Sequence, residues 1–206
     1  MMRPMFKRLL TLAAGVAAAV ALTASPAYAA GWTVSGAGGW VTYGSSDLTW
    51  TVPASGARFT CAYHEMSGPM DDTTSHPGPD IGSITDQTLT NCGLPFSSFA
   101  VTVVGQWRYN AVAPTADPDV NHVSITGVHL ILSGLGCTAT IIGGVPGRYD
   151  NTDGTLSLDS AGSNPDGVGL TFSNVQGCLG LIQNGGVANW TARYATDPPY
   201  TLTHTP

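Results

Sequence analysis

The chain has 206 residues, a formal net charge of −6 and 43% hydrophobic residues, but only 10% charged residues, far below the roughly 25% of ordinary soluble domains. Those figures exclude a coiled coil and a charge-driven disordered chain. The basic residues are also segregated. Arg3, Lys7 and Arg8 precede Leu9, and downstream four arginines stand against thirteen acids, giving a body charge of −9 without a lysine. Such a surface argues against nucleic acid or an anionic membrane as partner.

Residues 1 to 29 read as a secretory signal. Arg3, Lys7 and Arg8 form its positive region, Leu9 to Leu22 its apolar run, and Ala27-Tyr28-Ala29 the small-x-small cleavage pattern behind Pro26. No cysteine sits at that site and no apolar tail precedes Pro206, so the expected product is released rather than membrane-anchored. Removing 29 residues from 206 leaves 177, residues 30 to 206, the length of a single secreted β-domain.

Along that domain the apolar residues alternate with period two. Leu48, Trp50 and Val52 form a first inward set, followed by Phe59, Cys61 and Tyr63, then Trp107, Tyr109 and Ala111. Leu156 and Leu158, and finally Trp190, Ala192 and Tyr194, continue it, with threonines on the opposite face. Turn clusters separate the sets: Gly38-Gly39, Asp153-Gly154, Ser163 to Gly167, and Asn184-Gly185-Gly186. The pattern predicts ten to twelve short antiparallel strands in a β-sandwich or barrel, with no helix longer than two turns. Glu65 to Pro79 and Ala113 to Asn121 read as long exposed loops, where an exported β-domain would carry its recognition. In His122 to Leu132 the apolar phase moves from odd positions (Val123, Ile125) to even ones (Val128, Leu130, Leu132). A bulge at Gly127 would restore the register and turn His129 outward.

Four cysteines in an exported chain imply two disulfides; their spacing, without a C-x-x-C pair, does not suit zinc. Three connectivities are possible. Cys61–Cys92 with Cys137–Cys178 is favoured, because each half then repeats one order: a Cys-bearing strand, a Thr-bearing segment leading to the second Cys, and an aromatic strand.

The best candidate for metal or acid–base chemistry is His64, Glu65, Asp71, Asp72 and His76, with Asp80 nearby. Carboxylates suit calcium and paired histidines suit zinc, but the spacing matches neither H-E-x-x-H nor an EF-type loop. The loops Asp150 to Gly154 and Asp117 to Asp119 resemble calcium loops but fit Asx-turns better. No G-x-S-x-G elbow occurs, and Glu65 is the sole glutamate. The residues nominate no catalytic group, metal or cofactor. Trp32 and Trp40, in a Gly-rich stretch, are expected to cover the edge of the fold rather than a ligand.

The stretch Gly169 to Tyr194 resembles small, uncharacterised exported proteins of high-GC Gram-positive bacteria. It carries their Cys-x-Gly-Leu-Ile-x-x-Gly pattern at Cys178 to Gly185 and a Thr-Pro ending at Thr205-Pro206. The resemblance implies a secreted all-β protein and assigns no activity. Strand and cysteine order is also faintly similar to secreted protein activators of alkane oxidation. The leading expectation is a secreted non-catalytic protein that binds an extracellular protein, polysaccharide or envelope component. The alternatives are a hydrolase with a cryptic Asp/His site between His64 and Asp80, and a carbohydrate-binding module using coplanar exposed aromatics.

Overall fold

The computed structural model describes residues 31–94, 97–134 and 136–206; the expected signal lies outside the described residues. The strands are β1 (Gly31–Ser35), β2 (Val41–Ser45), β3 (Leu48–Val52), β4 (Ala57–Gly68), β5 (Thr73–His76), β6 (Gly82–Ile84), β7 (Asp86–Leu94) and β8 (Ser97–Val103). They continue with β9 (Trp107–Pro114), β10 (Val120–Gly134), β11 (Cys137–Asp150), β12 (Thr155–Asp159), β13 (Leu170–Gln176), β14 (Val187–Asp197) and β15 (Thr201–Thr205). Among the described residues the only helical element is the three-residue turn Cys178–Gly180. The fold is an antiparallel β-barrel, and it has more strands than the alternation predicted. The additional strands β1, β5, β6 and β15 lie in polar or Gly- and Pro-rich sequence.

Eight strands close the ring in the order β10, β11, β13, β14, β3, β4, β7, β8 and back to β10. Toward the other end, β12 and β2 take the places of β13 and β3, and β9 and β6 continue from β10. There the Thr85 amide donates to the Ser67 carbonyl at 2.9 Å and the Ser83 amide to the Pro69 carbonyl at 3.0 Å, joining β6 to β4. The long strands β4, β10, β11 and β14 therefore run through both halves.

The disulfides are Cys61–Cys92, between opposed residues of β4 and β7, and Cys137–Cys178. This is the pairing the repeated strand order favours, and both bridges sit in the same half of the barrel. The opposite end is covered by the small sheet β15-β1-β5. Trp32 is buried there against His204, as an edge-covering residue, whereas Trp40 is 47% exposed. The Glu65–Pro79 segment is not one loop. β4 continues to Gly68, and Thr73–His76 forms β5 and pairs with β1, so Trp32 and Val34 gain a cover. The second expected loop narrows to residues 115–119 between β9 and β10.

Side chains fill the barrel. Trp50, Trp107, Trp190, Tyr43, Tyr109, Tyr149 and Tyr194 are all essentially inaccessible to solvent. Tyr200, from the segment leading into β15, inserts among the tyrosines: its hydroxyl donates to Tyr109 Oη at 2.8 Å, and Tyr149 Oη donates to its carbonyl at 2.7 Å. Burial holds the Tyr43, Tyr109 and Tyr200 phenols well above their ordinary pKa, so the cluster is neutral.

Gly127 is a bulge. Thr126 pairs with Gly144 and Val128 with Gly143, so Gly127, at φ +74°, is the extra residue. Val123, Ile125, Val128, Leu130 and Leu132 all become buried and His129 stays partly exposed, as the phase change predicts. β4 overturns one expectation. Phe59 and Cys61 point inward, but Tyr63 is 39% exposed and His64 is buried instead. The ladder between β4 and β7 skips Ala62 opposite Asn91, which adopts φ +52°, and the inward phase changes there.

Candidate functional site

The six residues grouped between His64 and Asp80 do not form one site. The phase change in β4 sends His64 into the barrel, where it is 0% exposed. Its Nδ1 lies 2.7 Å from the Tyr194 hydroxyl, and the rings of Trp107, Trp190 and Tyr194 surround it. Burial drives the imidazole pKa down to about 3, so it is neutral. Among the described residues, His64 Nε2 and the Nε1 atoms of Trp50 and Trp107 have no hydrogen-bond partner. The T-shaped pairs Trp50–Trp190 and Trp107–Trp190 set ring edges against ring faces here. Glu65, one residue on, faces outward and accepts a hydrogen bond from the exposed Tyr63 hydroxyl.

Asp71, Asp72, His76 and Asp80 line one open depression at the capped end. Two of them cap backbone amides and one pairs with an arginine. Asp72 Oδ1 accepts from the Ala37 amide at 2.9 Å, His76 Nδ1 from the Gly78 amide at 3.3 Å, and Asp80 pairs with Arg108 at 2.9 Å. Among the described residues no three His, Cys, Asp or Glu side chains converge closely enough to hold a metal ion. The two calcium-like loops are Asx-turns: Asp150 Oδ1 accepts from the Thr152 amide and Asp117 Oδ1 from the Asp119 amide.

The exposed aromatics Trp40 and Tyr63 do not make a sugar platform. Trp40 precedes β2 where Val41 meets Gly68, and Tyr63 lies past the other end of that ladder, where Ser45 meets His64. Some five residues of strand separate them, roughly 17 Å.

An apolar pocket that no local sequence pattern marks lies at the disulfide end. Phe59, Leu94, Phe99, Leu181 and Ile182 line it, with Leu179 and the Cys137–Cys178 bridge, enclosing about 100 Å³. Its rim is built by a left-handed turn: Gly177, Cys178, Leu179 and Gly180 have φ of +70°, +60°, +48° and +77°. A Cβ on Gly177 would lie 1.8 Å from the Gly136 carbonyl oxygen, so that position admits only glycine. The bridge to Cys137 and a 2.7 Å hydrogen bond from Ser55 Oγ to the Leu181 carbonyl fix the turn. Leu179 thereby stands 95% exposed.

Charge is distributed just as unevenly. The segments 48–61, 89–94, 97–106, 127–134, 136–143 and 167–190 lie in the disulfide half, and Arg58 is their sole Asp, Glu, Lys or Arg; Glu65 and Asp159 stand at its inner margin, opposite Thr88 and Thr191. Asp71, Asp72, Asp80, Asp117, Asp119, Asp150, Asp153 and Asp197 cluster at or near the capped end. The molecule has a neutral apolar pole and an acidic pole. The sequence signal was the uncharged run Cys178 to Ile182 between paired turn glycines. No family model, curated protein or solved structure matches the chain.

Proposed function

We propose that the chain is an exported, non-catalytic β-barrel that binds an apolar group of its partner at the neutral pole. The observation carrying this reading is the pocket walled by Phe59, Phe99 and Ile182 beside a leucine held 95% exposed. Left-handed backbone costs roughly 1–2 kcal/mol per non-glycine residue, and Cys178 and Leu179 both adopt it. Strain held by a covalent bridge at a pocket rim is typical of preorganised recognition. Two disulfides and the basic-then-apolar leader support export. The stretch Cys178 to Gly185, on which the resemblance to exported proteins rests, is the one that forms the pocket rim.

The hydrolase alternative has Asp72 and His76 beside one depression in its favour, but both are engaged by backbone amides. The test is titration of the disulfide-intact protein with a solvatochromic apolar dye. Saturable one-site binding, displaced by short-chain alcohols and removed by Leu181→Arg, is expected. Unsaturable binding, or binding indifferent to that change, overturns the proposal.

A further inference from the structure

We infer that the occupant of the neutral pole is a second copy of this chain, with Leu179 of each copy seated in the pocket of the other. This rests on the reading of that pole as the binding face. The knob and the hole share one surface, so a two-fold axis between them satisfies both copies at once and closes the assembly at a dimer. The pocket volume of about 100 Å³ is below the roughly 150 Å³ of a cavity that holds benzene, which suits a branched aliphatic group better than an aromatic ring. Leu179 supplies such a group, already fixed by the Cys137–Cys178 bridge, so little side-chain or loop freedom is lost on contact.

Charge selects the same arrangement. With a body charge of −9, contact through the acidic pole, with its eight aspartates, would set like charges against one another. Contact through the neutral pole brings together segments in which Arg58 is the sole fixed charge. The fifteen residues of β10 span about 50 Å, or about 38 Å along the axis of a tilted barrel. The acidic poles then lie several Debye lengths from the junction, where salt screens them.

Area sets the strength. Eight strands spaced about 4.8 Å apart and tilted give a backbone circumference of about 50 Å, so an end face with side chains offers on the order of 450 Å² per copy. The total is below a standard stable interface, so the dimer is weak, with a dissociation constant on the order of micromolar.

Sedimentation velocity of the disulfide-intact protein between about 1 and 100 μM tests this. A monomer–dimer equilibrium little affected by salt is expected. Leu179→Ala should weaken it at least tenfold and Leu179→Asp should leave only monomer, both without changing the far-ultraviolet circular dichroism. Asp117→Asn, at the acidic pole, should leave it unchanged. A dimer that survives Leu179→Asp overturns the inference, as does a monomer at every concentration. If a monomer still binds the apolar dye through Leu179, or sediments with phosphatidylcholine vesicles, the neutral pole remains the binding face with another occupant. If dye binding is absent as well, both readings fall.

Discussion

His64 Nδ1 and the Tyr194 hydroxyl, 130 positions apart in the chain, meet at 2.7 Å in the middle of the barrel. Among the described residues no charged group perturbs the imidazole; its ring neighbours are Trp107 and Trp190. The imidazole is therefore held neutral, with a pKa of about 3, by exclusion of water.

Acid should destabilise the fold through this residue. Below about pH 6.5 the unfolded chain protonates its histidine and the folded chain does not, so the unfolded state binds more protons. Stability attributable to His64 is complete above pH 6.5 and falls by about 1.4 kcal/mol per pH unit down to about pH 3. Urea unfolding at pH 7, 6 and 5 should show that slope, and the difference from His64→Met should isolate it. Equal slopes in parent and variant would contradict the burial.

Tyr194→Phe should cost about 1–3 kcal/mol, because it leaves a buried imidazole nitrogen without its partner while keeping the ring. The midpoint of chemical denaturation reads this directly. A neutral outcome would mean that water or another group replaces the hydroxyl.

The two bridges should behave differently. Cys61→Ala with Cys92→Ala, and Cys137→Ala with Cys178→Ala, should each lower stability by about 2–4 kcal/mol. Removal of the second bridge should also abolish dye binding at the neutral pole, since Cys178 anchors the turn carrying Leu179. Removal of the first should leave that binding in place.

Gly177→Ala puts a methyl group into the Gly136 carbonyl and imposes left-handed backbone on alanine. A loss on the order of 2–3 kcal/mol is expected, together with displacement of the pocket rim. Thermal melts and dye titration on one sample separate the two effects.

Most of the barrel is visible in residue order alone. Trp50, Trp107 and Trp190 alternate with polar neighbours because each lies on a strand with one wet face, and all three are buried. The bulge was readable because its residue is a glycine at the point where β10 changes phase. The phase change in β4 was not, since no glycine marks it. The left-handed residue is Asn91 on the partner strand, and only the pairing brings it opposite Ala62. For that reason His64 was grouped with its sequence neighbours instead of with Tyr194. The pocket stayed hidden for a related reason. An exposed leucine is unusual only once its backbone is known to be left-handed, and half of that turn is not glycine. Its walls come from β4, β7, β8, β11 and the turn itself, which no local window contains.

The pairing of β1 with β15, Gly31 opposite Thr205, has a kinetic consequence. β1 is the middle strand of its sheet, yet one of its two neighbours, β15, comes from the far end of the described residues. Tyr200 arrives with that strand, so the tyrosine cluster stays open to water until β15 docks. Closure by such distant partners is slow, since loop entropy is lost before the contact compensates for it. The capped end is thus a slow part of the molecule to close. Until β15 docks, Trp32 and Val34 stay uncovered on one side, and the unfinished sheet is exposed to proteases and to misassembly.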